Sequence, residues 1–243
     1  MTRKTELRLE KIKNFKQKEL PLIVVPPIRK VVSSMKMNAE SSSGSAETPN
    51  RSVSRLKGAN IVVLARNHNP AIVSREWVIN KNIIKESIDT FIHTPVFSVI
   101  ESSSFSLHVN PDRMQVGVKR VSDETLRELP EIVKKYVSNL PETPYTAVGF
   151  NFHYEVLSER KIKDILTPSE KFKEVFQGRY EVGGIIRFGF EPFTVTLRMP
   201  PEESSASFNF HADVRSSEEV LNVLEYYHRA REKAENVLEG LFE

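Results

Sequence analysis

The sequence predicts an α+β domain: a largely antiparallel sheet of about six strands, helices packed on one face, and a long C-terminal helix. Two observations carry this. Strand-length apolar runs follow one another across short turns at 95–120 and again at 179–214. Helical spacing is grouped near 122–140 and 216–243, whereas a doubly wound parallel sheet needs a helix between most strands.

Taken in order, "ANIVVLAR" at 59–66 is an apolar run of strand length, followed by the irregular "NHNPAI". The stretch 77–92 reads as helix or strand, with helix preferred. Residues 95–109 and 113–120 flank "NPD", where proline fixes φ and the acid bonds neighbouring backbone, which predicts a hairpin. In 122–140 a capping serine precedes Leu126, Leu129, Val133, Tyr136, Val137 and Leu140 at helical spacing, and Pro130 marks a break or a second start. Residues 144–156 form a strand, and 167–176 a short helix with Thr167 as cap and Pro168 at its first position. Three strands follow at 179–190, 193–199 and 205–214. The segment 216–243 closes the chain as one helix: Ser216 and Glu219 have capping-box spacing, and Val220, Leu224, Tyr227, Arg231, Ala234, Leu238 and Leu241 trace one face.

The N-terminal quarter differs from the rest. Residues 1–60 carry thirteen Lys and Arg against five Asp and Glu, while 61–243 carry twenty-two against twenty-seven, so the net charge of +3 hides a division. Residues 33–55 are serine-rich with few bulky apolar side chains and read as a linker. The domain boundary therefore falls near Gly58: a basic arm and linker over 1–57, and a single α+β domain over 58–243.

Cysteine is absent, which excludes disulfides, thiolate metal sites and cysteine nucleophiles and points to a cytoplasmic protein. No apolar run approaches a membrane span, so no membrane partner is expected. The glycines Gly183, Gly184 and Gly189 lack phosphate-cradling spacing, and Ser102–Ser104 shows no nucleophile-elbow pattern. No catalytic signature is recognised.

At "ARNHNPAIVSREWV" (65–78), "TPVFSVIESSSFSLHVNPDRMQ" (94–115) and "PYTAVGFNF" (144–152), the chain resembles a group of archaeal and bacterial proteins without an assigned activity. The resemblance covers roughly 60–243 and leaves the basic arm outside it. It implies a coherent domain and supplies no mechanism.

A short motif recurs: "FNFH" at 150–153 and at 208–211, with the related "FSLH" at 105–108. Strand alternation puts the aromatic residues on one face and His108, His153 and His211 on the other. On neighbouring strands in compatible register these histidines converge, with Glu155 or Asp213 as a further ligand or base. Three imidazoles and an open position suit a divalent metal that generates hydroxide. The competing account is that half-buried strands alternate anyway and a histidine on the polar face is solvated. No longer match surrounds the repeat, so duplication of a whole unit is not expected.

Two further histidines read as structural. His68 belongs to polar loop capping, and His228 to a helix boundary. In the arm, Lys4, Arg8, Lys11, Lys13, Lys16 and Lys18 form a candidate phosphate-contacting set within residues 1–34, weakened by the interleaved Glu6, Glu10 and Glu19. "LPLIVVPPI" at 20–28 instead suits docking as an extended segment. The sequence thus favours a non-enzymatic binding or assembly module with a protein partner or a second copy. Its alternatives are a metal-dependent hydrolase with a histidine-lined site, and a nucleic-acid or ribonucleoprotein accessory acting through the arm.

Overall fold

The computed structural model describes residues 53–167, 169–176, 181–201 and 204–243. The strands are β1 (Ser54–Ala65), β2 (Ile88–His93), β3 (Ser98–Ser102), β4 (Phe105–Asn110), β5 (Arg113–Val118), β6 (Tyr145–Val156), β7 (Gly184–Phe190), β8 (Phe193–Met199) and β9 (Ser205–Asp213). The helices are α1 (Arg75–Asn80), α2 (Asp123–Ser138), α3 (Ile162–Ile165), α4 (Glu170–Phe176), α5 (Ser217–Leu224) and α6 (Tyr227–Phe242). The nine strands form one antiparallel sheet in the order β2-β3-β4-β5-β1-β6-β9-β8-β7. The α+β class and antiparallel sheet are as expected; the strand count is higher.

The extra strands have local causes. The apolar run at 95–109 is cut in two by Ser103 and Ser104: Ser102 Oγ accepts from the Phe105 amide at 3.1 Å, while the Glu86 carboxylate accepts from the Ser104 amide and the Ser103 hydroxyl, each at 2.9 Å. Burial pushes the Glu86 carboxyl up, but the hydrogen bonds from these serines outweigh it and bring it down to about 2. The ambiguous segment 77–92 is divided, with its first residues in α1 and its last in β2. The "NPD" turn forms, though Asn110 does the bonding: its Oδ1 accepts from the amides of Asp112 (3.1 Å) and Arg113 (2.9 Å).

Two helix expectations change. Pro130 does not divide 122–140. It lies buried inside one continuous α2, whose start is fixed by Ser122 accepting from the Thr125 amide at 3.2 Å and Thr125 Oγ1 accepting from the Ser122 amide at 3.0 Å. The expected long C-terminal helix is instead two, because the Glu225 and Tyr226 amides bond three residues back, to Asn222 and Val223, and tighten the chain between α5 and α6. The sheet also begins at Ser54, four residues before the expected Gly58 boundary.

One face of the sheet is buried against the helices. Ile61, Val63, Ile100, Leu107, Met114, Val116, Phe150, Phe152, Val195, Leu197, Phe208 and Phe210 point inward and are shielded from solvent. They meet Leu129, Val133 and Val137 of α2, Val220 and Leu224 of α5, and Tyr227, Ala234 and Leu238 of α6. At the centre the Phe150 ring lies 5.2 Å from Phe193 and 5.4 Å from Tyr227, and Phe152 lies 5.4 Å from Tyr227 and 5.8 Å from Phe210. Each edge-on or tilted pair of this kind adds about 0.5–1.5 kcal/mol to the area it buries.

The pairing pattern is two-fold symmetric about the Ile61–Phe150 pair. Asn60 faces Asn151 and Val62 faces Gly149, so exchanging β1 with β6 leaves the central register unchanged. Outward from the centre, Ile61–Val116–Leu107–Ile100 on β1, β5, β4 and β3 corresponds to Phe150–Phe210–Val195–Phe188 on β6, β9, β8 and β7. The two-residue turns Ser103–Ser104 and Glu191–Pro192 occupy equivalent places. Six residues after Val116 and six after Phe210 come the helix caps Ser122 and Ser216, with φ/ψ of −147°/161° and −147°/164°. The order β1-β3-β4-β5-α2 is therefore matched topologically by β6-β7-β8-β9-α5. The two halves share an alternating burial pattern but no residue identities along β1 and β6.

Candidate binding face

The "FNFH" motif occupies β6 and β9, which are neighbours and are not equivalent strands of the two halves. Antiparallel pairing sets the two copies head to tail: Phe150 faces Phe210, Asn151 faces Asn209, and Phe152 faces Phe208. The aromatic side chains form the core and the asparagines point out, as alternation requires.

The histidines do not converge, which corrects the expected metal site. His153 pairs with Ser207 and His211 with Gly149, so the two imidazoles stand four residues apart along the strands, about 14 Å by strand rise and spacing. His108 lies on β4, four strands from β9 and so about 19 Å from His211. Metal ligation needs each nitrogen about 2.0–2.1 Å from one ion. Among the described residues no group of three or more His, Asp or Glu side chains comes together to hold a metal. The carboxylates have other partners: Glu155 takes Arg55 and Lys57, and Asp213 Oδ1 lies 3.2 Å from His211 Nε2. His108 Nε2 lies 2.8 Å from Ser106 Oγ.

What the outward face does assemble is a transverse row, one residue from each strand: Thr90, Glu101, Ser106, Gly117, Asn60, Asn151, Asn209, Thr196 and Arg187. At its centre Asn209 Nδ2 donates to Asn151 Oδ1 at 2.7 Å and Asn151 Nδ2 donates to Asn60 Oδ1 at 2.8 Å. This amide chain spans β1, β6 and β9, beside the symmetry point. Each amide keeps further donor or acceptor capacity for an external group. Gly117 and Gly149 sit beside it: a Cβ added to Gly117 meets Asn60 Cβ at 3.3 Å, and one added to Gly149 meets Asn209 Nδ2 at 3.6 Å. Small neighbours thus leave the amide edges uncovered.

The adjacent row holds Ile92, Val99, His108, Gln115, Val62, Gly149, His211, Thr194 and Gly189. Arg113, Arg187 and Arg198 also lie on this face and, among the described residues, form no salt bridge. Outward strand positions carry no Phe, Tyr or Trp.

The remaining candidates are placed elsewhere. His68 is buried at 1% exposure, more deeply than a loop cap requires. Its Nε2 donates to the Val63 carbonyl at 3.1 Å, which leaves Nδ1 to accept from Tyr136 Oη at 3.3 Å. Burial pushes its pKa down, against the Val63 bond and the Asp112 charge. His228 lines a groove of about 590 Å³ on the helix side with Asp123, Arg127 and Arg231. The lysines and arginine of the basic arm, Lys4, Arg8, Lys11, Lys13, Lys16 and Lys18, lie outside the described residues, as do the serine-rich linker up to residue 52 and Pro168.

The asparagine row was missed in the sequence because asparagine carries no chemical signature there. The available signal was the polar position inside "FNF", twice, together with Asn60 inside an otherwise apolar strand. No family model and no curated protein matches this chain. Among the described residues, no helix is long and apolar enough to cross a membrane.

Proposed function

We propose that this chain is a non-enzymatic binding module whose docking surface is the face of the sheet opposite α2, α5 and α6. The observation that carries this reading is the Asn209–Asn151–Asn60 amide chain at the middle of that face. Antiparallel sheets often leave one face to water, and a solvated face needs only scattered polar residues. Here three amides from three strands are aligned, held by one another, and flanked by glycines, so their unused hydrogen-bonding groups are fixed in direction before any partner arrives. The hydrolase alternative draws no such support, since its three histidines stand far apart.

The test uses the exposed Asn209. Full-length chain and its Asn209→Trp variant are immobilised and exposed to a cell extract, and bound protein and nucleic acid are both measured. Loss of bound material in the variant, with the unfolding midpoint unchanged, supports the reading. Equal retention by both forms removes the face from consideration.

A further inference from the structure

We infer that the partner of this face is double-stranded RNA. The inference rests on the binding-module reading above and adds the chemistry of the occupant.

Charge is the first argument. Residues 53–243 hold twenty-four Lys and Arg against twenty-seven Asp and Glu, so the domain is acidic as a whole. The open face runs the other way. Its acids Glu101, Glu155 and Asp213 are each engaged by a cation or histidine of the same face, while Arg113, Arg187 and Arg198 have no acidic partner among the described residues. Free guanidinium groups on an otherwise acidic domain suit phosphates, which they bind through paired N–H donors. A second copy of this face would bring cations against cations. The basic arm, with eleven Lys and Arg against five acids in residues 1–52, is no better matched to it and would add to phosphate binding.

Side-chain type is the second argument. Protein interfaces centre on aromatic and large apolar anchors. The outward positions have no Phe, Tyr or Trp, and their aliphatic groups are dispersed: His108 and Gln115 separate Val99 from Val62 within one row. Single-stranded nucleic acid is held chiefly by bases stacked on Phe, Tyr and Trp rings, and the outward strand positions carry none of these. Ser, Thr, Asn, Gln, His and Arg side chains are what contact sugar and phosphate.

Shape decides between duplexes. The DNA major groove admits a helix or a two-stranded ribbon, and its minor groove is only about 6 Å wide. A-form RNA presents a wide, shallow minor groove edged by 2′-hydroxyls, which act as both donors and acceptors. A sheet about 38 Å across, from eight gaps of about 4.8 Å, lies over such a groove without entering it. Its amide and hydroxyl row then meets the 2′-hydroxyls, and the outlying arginines meet the flanking phosphates. The two-fold pairing pattern of the sheet also suits a duplex, whose antiparallel strands are related by local two-fold axes.

The experiment is fluorescence anisotropy of the full-length chain with a 20-base-pair RNA duplex, the matching DNA duplex and the single-stranded RNA, at several salt concentrations. Wild type binds the RNA duplex with a Kd below about 100 µM at low salt and prefers it to the other two. Combined Arg113→Glu, Arg187→Glu and Arg198→Glu weakens binding at least about tenfold and reduces the slope of log K against log salt by about two to three. Asn151→Ala, which changes no charge, weakens binding about fivefold and leaves the slope alone. The inference is overturned by absent RNA binding, by equal or tighter binding of DNA or single strands, or by unchanged affinity in the arginine variant. If RNA binding is absent while Asn209→Trp still abolishes capture of a protein from extract, the RNA inference fails and the open-face reading stands. If Asn209→Trp changes nothing in either assay, both fail.

Discussion

His68 should make the fold sensitive to mild acid. In the folded chain its imidazole is enclosed by Val63, Tyr136 and Tyr145, with ring centroids 6.0 Å from each tyrosine, and burial lowers its pKa. In the unfolded chain it titrates near 6.5. Below that value the unfolded state binds a proton the folded state refuses, so stability is fully present above pH 6.5 and declines as pH falls. The loss between pH 7 and pH 5.5 is at most about 1.2 kcal/mol, the limit for an imidazole that stays neutral when folded, from a limiting slope of about 1.4 kcal/mol per pH unit. Urea unfolding at both pH values measures it. His153, on the open face beside β1, is shifted in the same direction by desolvation, so the comparison is made against His68→Gln. That variant is less stable at pH 7 by about 1–3 kcal/mol, because Tyr136 Oη loses its buried acceptor, and it lacks most of this pH-dependent loss. If wild type and variant lose the same stability on acidification, His68 is not held neutral and the argument is refuted.

Further outcomes can be measured in the same way. Phe150→Ala, at the symmetry point and with no solvent exposure, should cost about 3–5 kcal/mol in urea unfolding, the usual range for an emptied aromatic core site. Ser122→Ala and Ser216→Ala should each cost about 1 kcal/mol, and by similar amounts, because both hydroxyls accept from the amide three residues on at 3.2 Å. Glu86→Gln should flatten the stability curve below pH 4.5: a carboxylate held near pH 2 stabilises the fold above its unfolded value of about 4.5 and loses that contribution as pH falls toward 2. Asn151→Ala should change stability by less than about 1.5 kcal/mol, since its hydrogen bonds are only half shielded from water, so any large loss of binding reports on the face and not on folding.

Periodicity determined much of this protein. The alternation in "YTAVGFNFHYEV" assigned Phe150 and Phe152 to the core and Asn151 and His153 to the open face, because side chains on a strand point to opposite sides whatever the neighbours are. Ser122 and Ser216 marked helix starts because a serine hydroxyl satisfies an amide within its own first turn. Composition separated the basic arm from the acidic domain. These are local properties, complete within a few residues of chain.

Only the tertiary structure decided which outward-facing residues meet. Convergence of His108, His153 and His211 depended on strand order and register, and pairing β1 with both β5 and β6 placed His108 four strands from His211 while it aligned Asn60, Asn151 and Asn209. The same pairing set Phe-Asn-Phe against itself and gave the two halves one strand order with only isolated identities, such as Ser122 with Ser216. Register is fixed by pairing between distant segments, residue 60 with 151 and 151 with 209, and no local window of the chain contains all three.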